Sequence, residues 1–429
     1  MNFNGLSVDQ APPISAPLRF FLTAPLFGVI AGFLMLFSNT EILTNRYSID
    51  AIIITHSITI GLFSFVIFGA LTQMLPVLTG TKILKVKLIT TAVHAMLVMG
   101  LLSMIGGLHF ANTNITTFAY LMLGGGFFLM ILSIANALRG VSNFTATVKG
   151  MTASLIFAFF ITLLGVMMLF EYASGGIGER HYIYANIHSV WAIFGFCGLL
   201  IIGVAFQVLP MFYVAPHFKR FCKKRVVNLI SIGLIIWLVL NSLYDGYSLY
   251  AKLWIVTFFW AFATTVWLKF NRRKRPVSDV TVWYWRAASI FLTLGSFLWI
   301  FDEFFKHEYI VMVAILIGGG FVLSIMIGML YKIVPFLVWF HLNGQGYMTI
   351  PNMNEMIDKN LARLQFVLQM GALVGFIFAF YIPWVLQLSA VSFIASMLIL
   401  EYNIIVPTII YIKTKKTKPD FDISMFATN

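Results

Sequence analysis

Polar residues are sparse along this chain, and the intervals between them set its reading. Twelve predominantly apolar runs lie at about 18–37, 51–78, 88–109, 116–138, 150–171, 183–213, 226–243, 250–269, 283–301, 309–337, 364–382 and 384–412. Each reaches or approaches the roughly 20 residues that an α-helix needs to cross a bilayer. The runs are continuous, whereas the strands of a membrane barrel alternate with a period of two, so they predict helices. The expected fold is an all-α polytopic membrane protein, one twelve-helix domain over residues 1–429. The longest connection, 338–363, has turn chemistry and predicts a short interfacial helix from Asn352.

One pattern recurs inside this frame. Gly61, Gly69, Gln73 and Pro76 on the second run return as Gly195, Gly203, Gln207 and Pro210 on the sixth, and as Gly320, Gly328, Lys332 and Pro335 on the tenth. The spacing G-x7-G-x3-[QK]-x2-P therefore repeats with a period of four helices. It predicts units of about 18–138, 150–269 and 283–412, set as three four-helix arcs with pseudo-threefold symmetry about an axis normal to the membrane. Glycines eight apart differ by about 800° of helical rotation, so they share one face and admit a close neighbour, either a backbone or a flat ligand. The polar residue one turn on is expected to reach the inner interface, and the proline to end or kink the helix.

Composition strengthens the membrane assignment. The chain is 60% hydrophobic and 10% charged and contains 43 Phe, a surface that no water-soluble domain of this size presents. The net charge of +13 raises nucleic acid as a partner, but its placement answers otherwise. With both termini cytoplasmic, all but Arg46, Arg180, Lys252 and Lys306 of the 28 basic residues fall in inner segments, as the positive-inside rule requires. The basic runs at 219–225, 272–275 and 413–418 are explained by topology, and the partner implied is the lipid bilayer rather than nucleic acid. Residues 1–17 are polar and not basic, unlike a cleavable leader. Cys197 in a run and Cys222 in a basic loop imply neither a disulfide nor a thiolate cluster, which leaves metal ligation to histidine.

His56 and His188 stand near the outer ends of the second and sixth runs, each about 8 Å below the boundary at 1.5 Å per residue. A histidine within lipid is costly unless bonded, paired or liganded. Two at one depth on repeat-equivalent helices point to metal or haem. The glycine alignment sets His56 opposite Val190 and His188 opposite Ile54, two residues or about 200° out of register, so the two need not face one centre. Ala314 and Ile315 occupy the matching positions on the tenth run. Glu303 and His307, four apart, have a spacing that suits a divalent metal, and the plainer reading, which is favoured, is an interfacial, solvated acidic cap. Glu401, near mid-membrane, and His94, two turns into the third run, are candidates for a proton route; the plainer readings are a neutral structural acid and a bonded core histidine. His109, His181, His217 and His341 read as boundary residues. There is no G-x-x-x-x-G-K-[ST], H-E-x-x-H or G-x-S-x-G, which argues against nucleotide-driven or hydrolytic chemistry.

The Arg19-Phe20-Phe21-Leu22 opening, His56 with Gly61, Gly69 and Pro76, and the helix running from His188-Ser189-Val190 to Gln207-Val208-Leu209-Pro210 resemble subunit I of the haem–copper oxidases. The local wording is most similar to the C-type oxidases and the NnrS proteins. The resemblance implies that His56 is an axial ligand of low-spin haem b and that His188 holds a metal, copper in the oxidases. It also implies a bacterial inner-membrane location, a role in respiratory or nitrogen-oxide metabolism, and other respiratory membrane subunits as partners. The histidine pair that oxidases carry on the seventh helix is absent from 226–243, and the two on the tenth are absent from 309–337. A terminal oxidase is therefore not expected, and a divergent member holding haem b, iron or copper is. The competing expectations are a cofactor-free transporter or channel for a small solute, and an assembly factor for a respiratory complex.

Overall fold

The computed structural model describes residues 2–3, 6–7, 11–243, 246–274, 276–277, 279–305 and 308–421. Twelve helices in it are long and apolar enough to cross a membrane: α1 Ser15–Phe37, α2 Ile49–Val77, α3 Val86–His109, α4 Thr113–Arg139, α5 Ala146–Ser174, α6 His181–Tyr213, α7 Arg220–Leu243, α8 Ser248–Asn271, α9 Val280–Phe305, α10 Ile310–Asn343, α11 Lys359–Phe378 and α12 Val385–Thr414. Each matches one predicted run, and the chain is a multi-pass membrane protein. Extended structure among the described residues is confined to Asn2–Phe3 paired antiparallel with Leu6–Ser7.

Several helix starts are written locally. Ser48, Asn112, Thr145, Asp279 and Asp358 each accept a hydrogen bond from a backbone N–H two or three residues on, and so cap α2, α4, α5, α9 and α11. Gly80 and Gly175 take the left-handed conformation that stops α2 and α5, a geometry that costs a residue with a Cβ. The interfacial helix expected from Asn352 does not form. The Glu355 carboxylate accepts from the Asn352 N–H and closes a turn instead, and helix begins only after the Asp358 cap.

Neighbour relations separate the helices into two classes. Successive contacts α1–α3–α4–α5–α7–α8–α9–α11–α12–α1 close an outer ring, with α2, α6 and α10 inside it. The three inner helices bear the repeated glycine pattern and are 67%, 78% and 67% buried over their apolar windows, against 50% at most for any other span. Their glycines take contacts from the helix before. A Cβ on Gly61 would strike Phe27 of α1, one on Gly195 Phe157 of α5, and one on Gly320 Phe291 of α9. One turn-pair further on, Gly69 meets Phe21, Gly203 meets the Gly150 backbone, and Gly328 meets Tyr284. The glycine stripe thus serves helix packing.

Two expectations about this pattern need correcting. The proline marks the end of α2 and of α6, which stop three residues on at Thr79 and Tyr213, but not of α10, which continues eight residues past Pro335 to Asn343. Gln73 does not reach an interface, for it is buried with neither side-chain polar atom bonded, whereas Lys332 at the matching position pairs with Asp279.

Each inner helix also contains a widened, π-helical segment: Thr59–Ser64 in α2, Trp191–Gly198 in α6 and Ile315–Val322 in α10. Such segments free backbone groups from the regular ladder and recur at functional sites. Local hydroxyls take up some of the released carbonyls. Ser64 donates to the Thr59 carbonyl at 2.9 Å, and Ser154 of α5 donates to that of Phe196 at 2.7 Å.

Candidate functional site: a histidine pair between two cavities

His56 and His188 come together. Their ring centres lie 6.1 Å apart, with planes inclined at 35°. Regular helix from histidine to glycine would set them about 200° apart. Both histidines stand three residues before the widened segment of their helix, and that segment is six residues long in α2 but eight in α6. The two-residue difference equals the apparent offset. The third inner helix has Met312 at this position, and Met312 does not line the cavity that the histidines face.

The two imidazoles are held alike. His56 Nδ1 lies 2.8 Å from the Ile52 carbonyl, one turn back on its own helix, and His188 Nδ1 lies 2.9 Å from the Ile161 carbonyl of α5. A carbonyl can only accept, so each Nδ1 carries the proton and each Nε2 keeps its lone pair, the tautomer that suits metal ligation. Gly165 of α5 makes room for the second ring, since a Cβ there would lie 3.1 Å from His188 Cε1.

Two cavities meet at the pair. One of about 110 Å³ extends among α2–α6 and is lined by Tyr120, Gly124, Val166 and Cys197. The other, about 400 Å³, extends towards α9–α12, where Gly318 and Gly319 present bare backbone. Both are lined by His56, His188, Thr59, Phe63, Met104 and Gly165. Arg46, Tyr47, Tyr172 and His181 contribute a polar section to the larger cavity, whose remaining lining, Thr55, Thr59, Ser189 and the two histidines aside, is apolar.

His181 was the residue that the sequence undervalued. It stands at a boundary, as the first residue of α6, yet it is buried there and pairs with Glu171 at the end of α5. Its spacing of seven from His188, two helical turns, was the available signal.

The remaining candidates sit apart from the pair. Glu303 bonds Lys252 and accepts from Ser248, and its suggested metal partner His307 lies outside the described residues. His94 bonds the Thr23 hydroxyl at 2.9 Å and is flanked edge-on by Phe20 and Phe65, the plainer of its two readings. Glu401 is partly buried on α12, and its Oε2 has no hydrogen-bond partner. Cys197 and Cys222 are both free thiols. Among the described residues, no group of three or more His, Cys, Asp or Glu side chains is placed to hold a metal.

The fold and site define a multi-pass membrane protein with an imidazole pair between two cavities in its helical core. No protein-family model matches the chain, and comparison with curated proteins finds no match.

Proposed function

We propose that this chain is a divergent relative of the haem–copper oxidase superfamily, of NnrS and C-type oxidase kind, that holds haem b, or else a single iron or copper ion, between His56 and His188. Its setting is the bacterial inner membrane and its role lies in respiratory or nitrogen-oxide metabolism. Three four-helix arcs around a pseudo-threefold axis and two cytoplasmic termini belong to the same reading. So does association with other respiratory membrane subunits.

The observation that carries it is the pair itself. With metal–nitrogen bonds of about 2.0–2.1 Å and about 1.1 Å from ring centre to nitrogen, two imidazoles on one ion have centres at most about 6.4 Å apart. The observed separation is 6.1 Å. The cavities on either side of the pair offer space to a planar group, and their apolar linings suit a macrocycle. The resemblance divides the histidines between a haem and a copper, whereas their proximity favours one shared centre. His56 and His188 would hold the group, and haem there would supply one-electron transfer. The chain's own part is to fix both tautomers through the Ile52 and Ile161 carbonyls and to keep bulk water out.

Protein purified from haem-replete cells should show a Soret band and b-type reduced-minus-oxidised peaks. Both should diminish in His56→Ala and in His188→Ala. A colourless preparation free of iron and copper would overturn the reading in favour of a transporter or an assembly factor.

A further inference from the structure

The third repeat contains a polar chain that the histidine site does not use. Tyr284 of α9 donates to Gln365 Oε1 of α11. Tyr331 of α10 donates to the same oxygen at 3.4 Å and accepts from Asn403 Nδ2 of α12 at 3.1 Å. Gln365 Nε2 donates to Ser396 at 2.8 Å, and Ser396 donates to Gln369 Oε1 at 3.1 Å. All six side chains are buried, with Gln365, Gln369 and Ser396 at 0% exposure.

Packing does not require them. In the second repeat, the buried face of α7 is Val226, Val227, Ile230, Gly233, Leu234 and Trp237, with the Trp237 indole N–H its only side-chain polar group, while α11 at the equivalent place buries two glutamines one turn apart. Nor is the chain closed as a structural lock would be. Gln369 Nε2 at one end and Asn403 Oδ1 at the other have no partner, although an unmet buried donor or acceptor is expensive and buried water is the usual remedy. Seven residues of α12 separate Asn403 from Ser396, so the chain covers about 10 Å along the membrane normal. Its two ends lie near the basic face and near the central cavity. Tyr331 precedes Lys332, which pairs with Asp279 at the cap of α9. Gln369 and Ser396 are one turn from Leu373 and Phe393, which line the larger cavity. Glu401, two residues before Asn403, faces about 200° away and is not a member.

We infer that the third repeat is a hydrated proton relay from the basic face of the protein to the central cavity, with water bound at its two open ends. The proton passes from water at Asn403 Oδ1 through Tyr331, Gln365, Ser396 and Gln369 to water at Gln369 Nε2, in the direction in which the donors already point; each carboxamide takes one H⁺ on its oxygen and gives one from its nitrogen by amide–imidic acid exchange. One H⁺ enters at the basic face for each one delivered to the cavity, with no electron moved. The relay is independent of what the cavity holds.

The test is proton flux into liposomes containing the full-length protein, with trapped pyranine and a valinomycin–potassium potential. Flux should exceed that of protein-free vesicles and fall about fivefold or more in Tyr331→Phe and in Ser396→Ala, the rate equivalent of losing one hydrogen bond. Ser231→Ala, which removes a hydroxyl from α7 in the second repeat, should leave it unchanged. Wild-type flux no greater than that of protein-free vesicles would overturn the relay. So would equal flux in Tyr331→Phe and Ser231→Ala, both recovered as folded protein.

Discussion

Replacing Gly165 by Ala probes the histidine pair with a single methyl group. The new Cβ would sit 3.1 Å from His188 Cε1 and 3.6 Å from Nδ1, against an ordinary carbon contact of about 3.5–4.0 Å. The ring must retreat by roughly 0.5 Å, which stretches its 2.9 Å bond to the Ile161 carbonyl beyond the usual limit of about 3.2 Å. Losing that bond costs about 1 kcal/mol, a fivefold effect, and loss of such an orienting partner lowers metal affinity by about 10–100-fold. On the proposed reading, haem affinity should therefore fall between about 5- and 100-fold. Helix stability moves the other way, because Ala is favoured over Gly by about 1 kcal/mol in a helix. Haem titration of stripped protein in detergent, followed at the Soret band and paired with thermal unfolding of the apoprotein, separates the two effects. A dissociation constant within about twofold of wild type would refute the argument that Ile161 orients His188 for a ligand.

Other parts of the structure yield further expectations. Gly203→Ala places its Cβ 2.7 Å from Gly150 Cα, where backbone cannot yield as a side chain can, and should destabilise by about 1–3 kcal/mol in thermal unfolding; unchanged stability would sink the close-packing account. Burial alone would raise the Asp279 carboxyl, but the Lys332 ammonium and the Thr281 N–H outweigh it and hold the group below its ordinary 3.8. Because its folded value is depressed, its contribution is complete above 3.8 and is lost as pH falls through the folded value. Wild type should therefore lose stability on acidification below pH 3.8 more steeply than Asp279→Asn, which should be weaker by about 1–3 kcal/mol at neutral pH. Parallel acid profiles would count against the pair. Cys222 lies among the basic residues at the start of α7, so a membrane-impermeant maleimide should label it only in inverted or permeabilised vesicles. Labelling in right-side-out vesicles would reverse the topology.

Much of the architecture was legible because hydrophobic length is a strong signal. Twelve runs became twelve helices, and the glycines at 61, 195 and 320 marked the three that lie inside the ring. His56 and His188 were also visible, since an imidazole in an apolar run is conspicuous. Their meeting was not, because widened segments depend on backbone bonding that no residue in Thr59–Ser64 or Trp191–Gly198 announces. His181 was missed through its position at a boundary, where a short connection folds it back onto Glu171. The Gln365 chain was missed for a related reason. Its members come from four helices, and isolated polar positions do not reveal their partners.

The widened segments bear on how this chain can have changed over time. A helix that can take an extra residue into a broad turn tolerates insertion on one side of it without disturbing packing on the other. Between His188 and Gly195 lie two more residues than between His56 and Gly61, yet both glycines keep their aromatic neighbours and both imidazoles reach the same space. The three inner helices can thus differ in length at these points without a change in packing. Comparison of such chains should allow a gap inside the second, sixth and tenth helices, where rigid alignment of membrane spans forbids one.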